Sequence, residues 1–215
     1  MRLTDGEKTF LESIGTTLNF PKGQIIFATG QRSNEIYLIK SGWVKIFRTN
    51  LNGRQVSVAL RYPGDFIGLA EVLSDEAERE YSAEAMENVS LLIIWRDAFM
   101  KMLAKNPEFS AKVLNLMANR LREAQNTIHD FIINPVQGRL AVVLKNMAER
   151  AGVSEEGDYI NVKLNVTQEE LACLVGSSRQ TVSTLLQLLK EDDCLKYKGR
   201  EITGVNIRKL NSWIG

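Results

Sequence analysis

The sequence predicts an α+β chain: an N-terminal antiparallel β-roll, one long helix, and a C-terminal winged helix-turn-helix. Three observations carry this expectation. Up to about residue 105, short β-branched and aromatic runs alternate with glycines. From Pro107 to about Asn134, apolar residues recur at intervals of three and four. The stretch "TQEELACLVGSSRQTVSTLLQLLKE", residues 167 to 191, reads as two short amphipathic helices joined by Gly176, Ser177 and Ser178.

In the first region, "GQIIFATG", "EIYLIKSGWVKIF" and "QVSVALRY" read as strands, and "TNLNGRQ" as a hairpin turn. Gly23, Gly30, Gly42, Gly53, Gly64 and Gly68 punctuate them, a spacing that suits a barrel or roll. In the second region, Leu114, Met117, Leu121, Ala124, Ile128 and Phe131 are separated by 3, 4, 3, 4 and 3 residues. A single helix lying on its own barrel can show such a stripe, but this regular seam points to a matching helix and hence a homodimer. "NPVQG" then breaks the helix, because Pro135 disfavours helical geometry at Asn134 and has no amide to donate, and it is expected to act as the hinge. These regions give an expected division into residues 1–106 (roll, sensing an effector), 107–134 (dimerisation helix and hinge) and 135–215 (winged helix-turn-helix).

The third region begins with a helix through "GRLAVVLKNMAERAG". Thr167 and Glu170 then have the spacing of a capping box, Leu171, Leu174 and Val175 recur at helical intervals, and Gly176 supplies the residue tolerant of positive φ at the helix end. Small Ala172 suits a close helix crossing. Ser177 or Ser178 caps the second helix. Its Val182, Leu185, Leu186, Leu188 and Leu189 form an apolar stripe, while Arg179, Gln180, Ser183 and Thr184 fall largely on another face. "CLKYKGREITGVNI" reads as two strands around Gly199, and "RKLNSWI" as a closing helix anchored by Trp213 and Ile214. Arginine meets guanine O6 and N7 as a bidentate fork, and glutamine does the same for adenine N6 and N7, so double-stranded DNA is the expected partner. An ordinary helical hairpin within a core is the competing reading. Lys198 and Arg200 at the wing tip would lie near phosphates, positioning the protein without reading bases.

Composition narrows the function classes. With 44% hydrophobic and 25% charged residues among 215, the chain has room for a core and two domains and is not a disordered composition. No apolar run approaches membrane-span length, and "MRLTDGEKTF" lacks the apolar centre of a secretory signal, so a cytoplasmic location without a membrane partner is expected. Cys173 and Cys194 are too few for a disulfide framework and lack metal-ligand spacing. They read as structural thiols, with redox sensing the alternative, and no metal site is expected. One histidine and no nucleophile–base constellation argue against an enzyme. Net charge is only +1, but it is segregated: "KYKGR" is basic, whereas acids collect far upstream in "SDEAERE".

Roll, seam helix, hinge and winged helix in this order, with "YPGDFIG" at 62–68, "PVQGRLA" at 135–141 and "TQEELACLVGSSRQTV" at 167–182, resemble the cyclic AMP receptor protein/FNR family of bacterial transcription regulators. The resemblance covers nearly the whole chain. It implies a homodimer that binds an inverted-repeat promoter site and contacts RNA polymerase, with a cyclic-nucleotide-binding-like jelly roll that binds an effector and repositions the two DNA-reading helices. Arg179 stands at the family's guanine-reading arginine. The next position is commonly glutamate and the one five past that arginine is commonly arginine, but here they are Gln180 and Thr184. Thr167 and Thr181 match the phosphate-contacting hydroxyls, and Ser178 and Ser183 complete the expected DNA-facing set.

The effector pocket departs further from that pattern. Cyclic-nucleotide binders follow "GDFIG" with a glutamate for the ribose and later use an Arg-Ser pair for the phosphate, whereas this chain has Leu69 after Gly68, and Tyr81-Ser82. On the seam helix, Ala124 and Gln125 replace the threonine and serine that meet adenine in the family. Without the arginine, a buried phosphate would go largely uncompensated, so the resemblance and its exceptions together predict an effector other than cyclic AMP. The expected effector is small, largely apolar or aromatic, and bound among Gly68, Leu69, Glu71, Tyr81, Ser82, Leu121, Ala124 and Gln125. Glu71 and Arg79 lie close in sequence to the missing positions, which keeps a cyclic-nucleotide-responsive regulator open as an alternative. An effector-independent repressor is another. An iron-sulfur cluster of the family's type needs four cysteines and only two are present. Haem would have His129 alone as a histidine ligand, and that residue reads as an ordinary helix position.

Overall fold

Thr4 opens the first helix, α1 (Asp5–Ile14), with a capping box. Its amide donates to Glu7 Oε2 at 2.7 Å, and the Glu7 amide donates to Thr4 Oγ1 at 3.3 Å. Burial alone would raise the Glu7 carboxyl, but hydrogen bonds from Lys112 and Thr4 hold it below its ordinary value. The computed structural model describes residues 3–53, 55–74, 77–152 and 154–214, which separate into two compact units, Met1–Glu123 and Ala124–Gly215. Arg54 of the expected "TNLNGRQ" turn, and Asp75 and Glu76 of the acidic run, lie outside the described residues.

The first unit continues with β1 (Gly15–Phe20), β2 (Ile25–Phe27), β3 (Glu35–Ser41), β4 (Val44–Thr49), β5 (Gln55–Arg61), β6 (Phe66–Ile67), the short α2 (Leu69–Ser74), β7 (Ser82–Ala85), β8 (Val89–Trp95) and α3 (Arg96–Lys105). The strands form two antiparallel sheets, ordered β1-β8-β3-β6 and β2-β7-β4-β5. The first of these sheets is covered on both faces. Tyr37 and Ile39 of β3 point to a core shared with Phe27, Val44, Ala83 and Ala85 of the second sheet. Ile36 and Leu38 point the other way, to a core closed by Leu11, Phe99, Met102, Phe109 and Val113 from the helices. Burial on both faces is why "IYLI" is an unbroken apolar run instead of an alternating one. "GQIIFATG" yields only the three residues of β2, because the chain turns again at Thr29 and Gly30.

Helix α4 (Pro107–Ile133) has 27 residues, which makes it about 40 Å long. It carries two apolar stripes. Phe109, Val113 and Leu116 are buried against the roll, while Leu114, Leu121 and Ile128 are 71%, 61% and 60% exposed. Leu114 and Leu121 therefore do not pack on this chain's own roll, whereas Met117 of the same seam packs partly against its core.

The second unit contains α5 (Val136–Ala151), β9 (Ser154–Glu156), β10 (Tyr159–Leu164), α6 (Gln168–Val175), α7 (Arg179–Glu191), β11 (Leu195–Lys198), β12 (Glu201–Asn206) and α8 (Ile207–Asn211). Its sheet, ordered β11-β12-β10-β9, has four strands where the sequence pattern suggested two. The additional pair is mostly polar: of β10, only Val162 and Leu164 are buried, and its register slips between Asn161 and Leu164. Leu140, Leu144, Leu171, Val175, Val182, Leu189 and Val205 are buried residues of this unit. Trp213 is half-buried and donates from Nε1 to Asp192 at 3.0 Å, while the buried Cys194 thiol is pushed up by burial, away from the reactive thiolate. No helix among the described residues is long and apolar enough to cross a membrane.

Candidate nucleic-acid interface

The helix-turn-helix is built from caps and one left-handed residue. The Thr167 amide donates to Glu170 Oε2 at 2.5 Å and the Glu170 amide donates to Thr167 Oγ1 at 3.1 Å, so α6 starts where the sequence places it. It ends at Gly176, with φ 64° and ψ 41°, and the Ser177 amide returns to the Ala172 carbonyl at 3.0 Å. Ser178 then caps α7, accepting from the Thr181 amide at 3.1 Å and sharing a 2.8 Å hydroxyl contact with Thr181. Leu171, Ala172 and Val175 of α6, with Val182, Leu186 and Leu189 of α7, are buried in the unit's core. Leu188, expected in that stripe, is 43% exposed, because seven residues return it to the face of Thr181.

Gly176 is constrained twice. Its left-handed backbone disfavours side chains, and a Cβ there would lie 3.0 Å from the Phe131 ring. Gly176→Ala should therefore cost about 1–2 kcal/mol from handedness alone. That lowers the melting transition of this unit by about 5–10 °C in scanning calorimetry. An unshifted transition would show that neither constraint operates.

Arg179, Gln180, Thr181 and Thr184 are exposed and Ser183 is half-buried. Arg179, Ser183 and Thr184 line a trough of about 1150 Å³ together with Thr167 and the wing's Arg200. Ser178, Gln180, Thr181 and Lys198 lie outside its lining. The Thr184 hydroxyl donates back to the Gln180 carbonyl at 3.2 Å, so its one proton is engaged within the helix. The wing turns at Gly199, which exposes Lys198 and Arg200. Tyr197, half-buried before them on β11, has its phenol pushed up to about 12 by burial.

The expected effector residues fall in both units. Gly68 and Glu71 come together around Arg79. Its side chain is fully buried: Nη1 donates to the Gly68 carbonyl at 2.9 Å and to Glu71 Oε2 at 3.3 Å, and Nη2 donates to the Glu35 carbonyl, 3.9 Å from Glu35 Oε2. The guanidinium lies over the Phe27 ring at 4.6 Å and the Tyr37 ring at 6.0 Å, and Nε has no partner among the described residues. Gly68 permits this approach, since a Cβ there would sit 2.6 Å from Nη1. Leu69 is a correction: it is fully buried in the helix-facing core beside Phe66 and Val72, turned into packing by the first turn of α2. Ser82 is tied to Thr29, accepting from its amide at 3.0 Å, and Tyr81 is half-buried. Leu121 is exposed on α4, and Ala124 and Gln125 are exposed residues of the second unit. His129 is exposed on the same helix. Phe131, expected in the dimer seam, turns partly to its own unit, with the Arg139 guanidinium 4.7 Å over its ring.

Comparison with known proteins gives two family matches: a cyclic nucleotide-binding domain over residues 17–106 and a Crp-like helix-turn-helix domain over residues 138–213. The chain is similar to solved structures of the c-di-GMP responsive global regulator of Xanthomonas campestris (TM-score 0.79, 19% identity, 93% of this chain and 98% of that one). It is also similar to that of a CRP/FNR-family transcriptional regulator of Thermus thermophilus (TM-score 0.74, 24% identity, 93% and 98%). Those likenesses establish the fold. In sequence, it is 35% identical to the CRP-like cAMP-activated global transcriptional regulator of Mycobacterium tuberculosis, covering 86% of this chain and 82% of that protein. It is 32% identical to the cyclic AMP receptor protein of Thermus thermophilus, covering 82% and 78%. Identity at that level across both regions means that the chain belongs to the cyclic AMP receptor protein/FNR family, as a transcription regulator with a DNA-binding helix-turn-helix behind a cyclic nucleotide-binding domain.

Proposed function

We propose that the chain works as a homodimer that reads an inverted-repeat DNA site and answers to a small effector other than cyclic AMP. In this reading residues 1–106 sense, 107–134 dimerise and 135–215 read DNA. Thr167, Ser178, Thr181, Lys198 and Arg200 hold phosphates, and Arg179 with Gln180, Ser183 and Thr184 faces the bases. The exposed stripe of Leu114, Leu121 and Ile128 supports the dimer.

The effector reading rests on Arg79. Although relatives at 35% and 32% identity carry cyclic AMP in their names, this guanidinium is already met by two carboxylates and two carbonyls. A nucleotide phosphate would have to displace Glu71, leaving a second anion beside it in a poorly hydrated site. An effector with an apolar or aromatic body and one polar handle avoids that cost. The idle Nε of the same arginine supports the second reading, a cyclic nucleotide taken up after Glu71 swings away. Calorimetry with cyclic AMP, run beside DNA titrations, separates the two. The expected result is no micromolar binding and no change in DNA affinity. Micromolar binding that tightens DNA binding would overturn the first reading and establish the second.

A further inference from the structure

The link between α4 and α5 is only Asn134 and Pro135, and Pro135 made it look like a hinge. Arg139, half-buried one turn into α5, spans that link. Its Nη1 donates to the Asn134 carbonyl at 3.0 Å and its Nε donates to the Val175 carbonyl at 2.9 Å. One of these acceptors closes the end of α4 and the other the end of α6, where helix carbonyls lack intrahelical donors and carry partial negative charge. The guanidinium carbon also lies 4.7 Å over the Phe131 ring, whose edge approaches the turn glycine, Gly176. Asn134 is buried and still continues the helix through its amide to the Asp130 carbonyl at 2.9 Å. Gly138 lets the chain pass closely, since a Cβ there would lie 3.2 Å from Asn134 Cβ. Ile132 and Ile133 are 77% and 57% exposed, so the fastening rests on Phe131, Asn134 and Arg139.

We propose that Arg139 is a positioning residue that clamps the last turn of α4 to the turn between α6 and α7, so that residues 131–134 move as part of the reading head. Any flexing between sensor and reader then occurs upstream of Phe131 and not at Pro135. The separation of the two compact units inside α4, after Glu123, agrees with this. Only arginine meets all three demands: a planar face for the ring and two donors pointing at different carbonyls. A lysine ammonium keeps the charge but offers no plane or fork. The proposal rests on the DNA-reading role of α7 for its consequence, but its first measurement needs no DNA.

Hydrogen–deuterium exchange of the full-length chain tests it. In the unaltered protein, amides of residues 130–134 should exchange as slowly as those within α5. In Arg139→Lys they should open at least about tenfold more often, with the cores of α5 and α7 unchanged. Phe131→Leu removes the ring and leaves every charge in place. It should show the same local opening, and it decides the matter if Arg139→Lys melts the whole unit. In both variants, affinity for a specific duplex should fall about tenfold while non-specific binding holds, because only base reading needs a fixed helix. Fast exchange at 130–134 in the unaltered chain, or Arg139→Lys and Phe131→Leu matching it in exchange, would overturn the clamp. Local opening with unchanged specific affinity would overturn its role in reading.

Discussion

A chain carrying Leu121→Glu is expected to sediment as a monomer at concentrations where the unaltered chain is a dimer. The physical basis is the division of labour on α4. The face bearing Phe109, Val113 and Leu116 is consumed by the roll, so it cannot also pair with another helix. The stripe of Leu114, Leu121 and Ile128 repeats every seven residues and stands in water, with Met117 half-buried and Ala124 exposed along it. A two-fold axis along this seam brings each stripe against its copy, and burying one leucine contributes about 1.5–3 kcal/mol. Glutamate at position 121 would enter twice per dimer, once from each protomer. Each carboxylate would lose water without gaining a partner, at a cost of about 3–5 kcal/mol. That raises the dissociation constant by at least about a thousandfold. Arg122→Glu, on an exposed neighbouring position, is the control and should leave the dimer intact. Equal sedimentation of Leu121→Glu and the unaltered chain would remove this seam from consideration.

What could be read from the sequence follows the range of the interactions involved. The caps at Thr167 and Ser178 and the turn at Gly176 depend on residues within five positions of one another, so spacing alone reveals them. The seam on α4 is equally local, since one helix carries its period. Thr4 and Glu7 have that same local signal and could have been found by the search that located Thr167 and Glu170. Arg79 could not. Its environment is assembled from Phe27, Glu35, Gly68 and Glu71, up to 52 positions away, and nothing in "EREYSA" distinguishes a buried arginine from a solvated one. Leu69 was misplaced for a related reason. Family alignment supplies a position in the chain, but the first turn of α2 decides which face of the roll that side chain enters. Phe131 fits the seam interval and also meets Arg139, a pairing that no periodicity contains.

Arg179→Ala is expected to abolish preference for guanine at one position of each half-site and to weaken specific binding severely. Arg179 is the first residue of α7, follows the Ser178 cap, is exposed, and lines the trough beside the wing. The N-terminal end of a reading helix is where side chains reach base edges in the major groove, with half-sites about 34 Å apart in a two-fold dimer. A guanidinium forks to guanine O6 and N7, worth about 1–3 kcal/mol of discrimination at each contact. Two symmetric half-sites double this to about 2–6 kcal/mol, so affinity should fall by at least about thirtyfold. Arg179→Lys keeps the positive charge but loses the planar fork, and should retain non-specific, salt-dependent binding while losing most of the guanine preference. Gln180, exposed on the same turn, has the chemistry to read adenine, so Gln180→Glu should shift the neighbouring preference toward a cytosine edge. Selection from random duplexes reads every position at once, and fluorescence anisotropy across a salt series separates base reading from phosphate attraction. If Arg179→Ala selected the same sequence with the same affinity as the unaltered chain, α7 would not be reading through its first residue, and the base contacts would have to come from elsewhere on the trough.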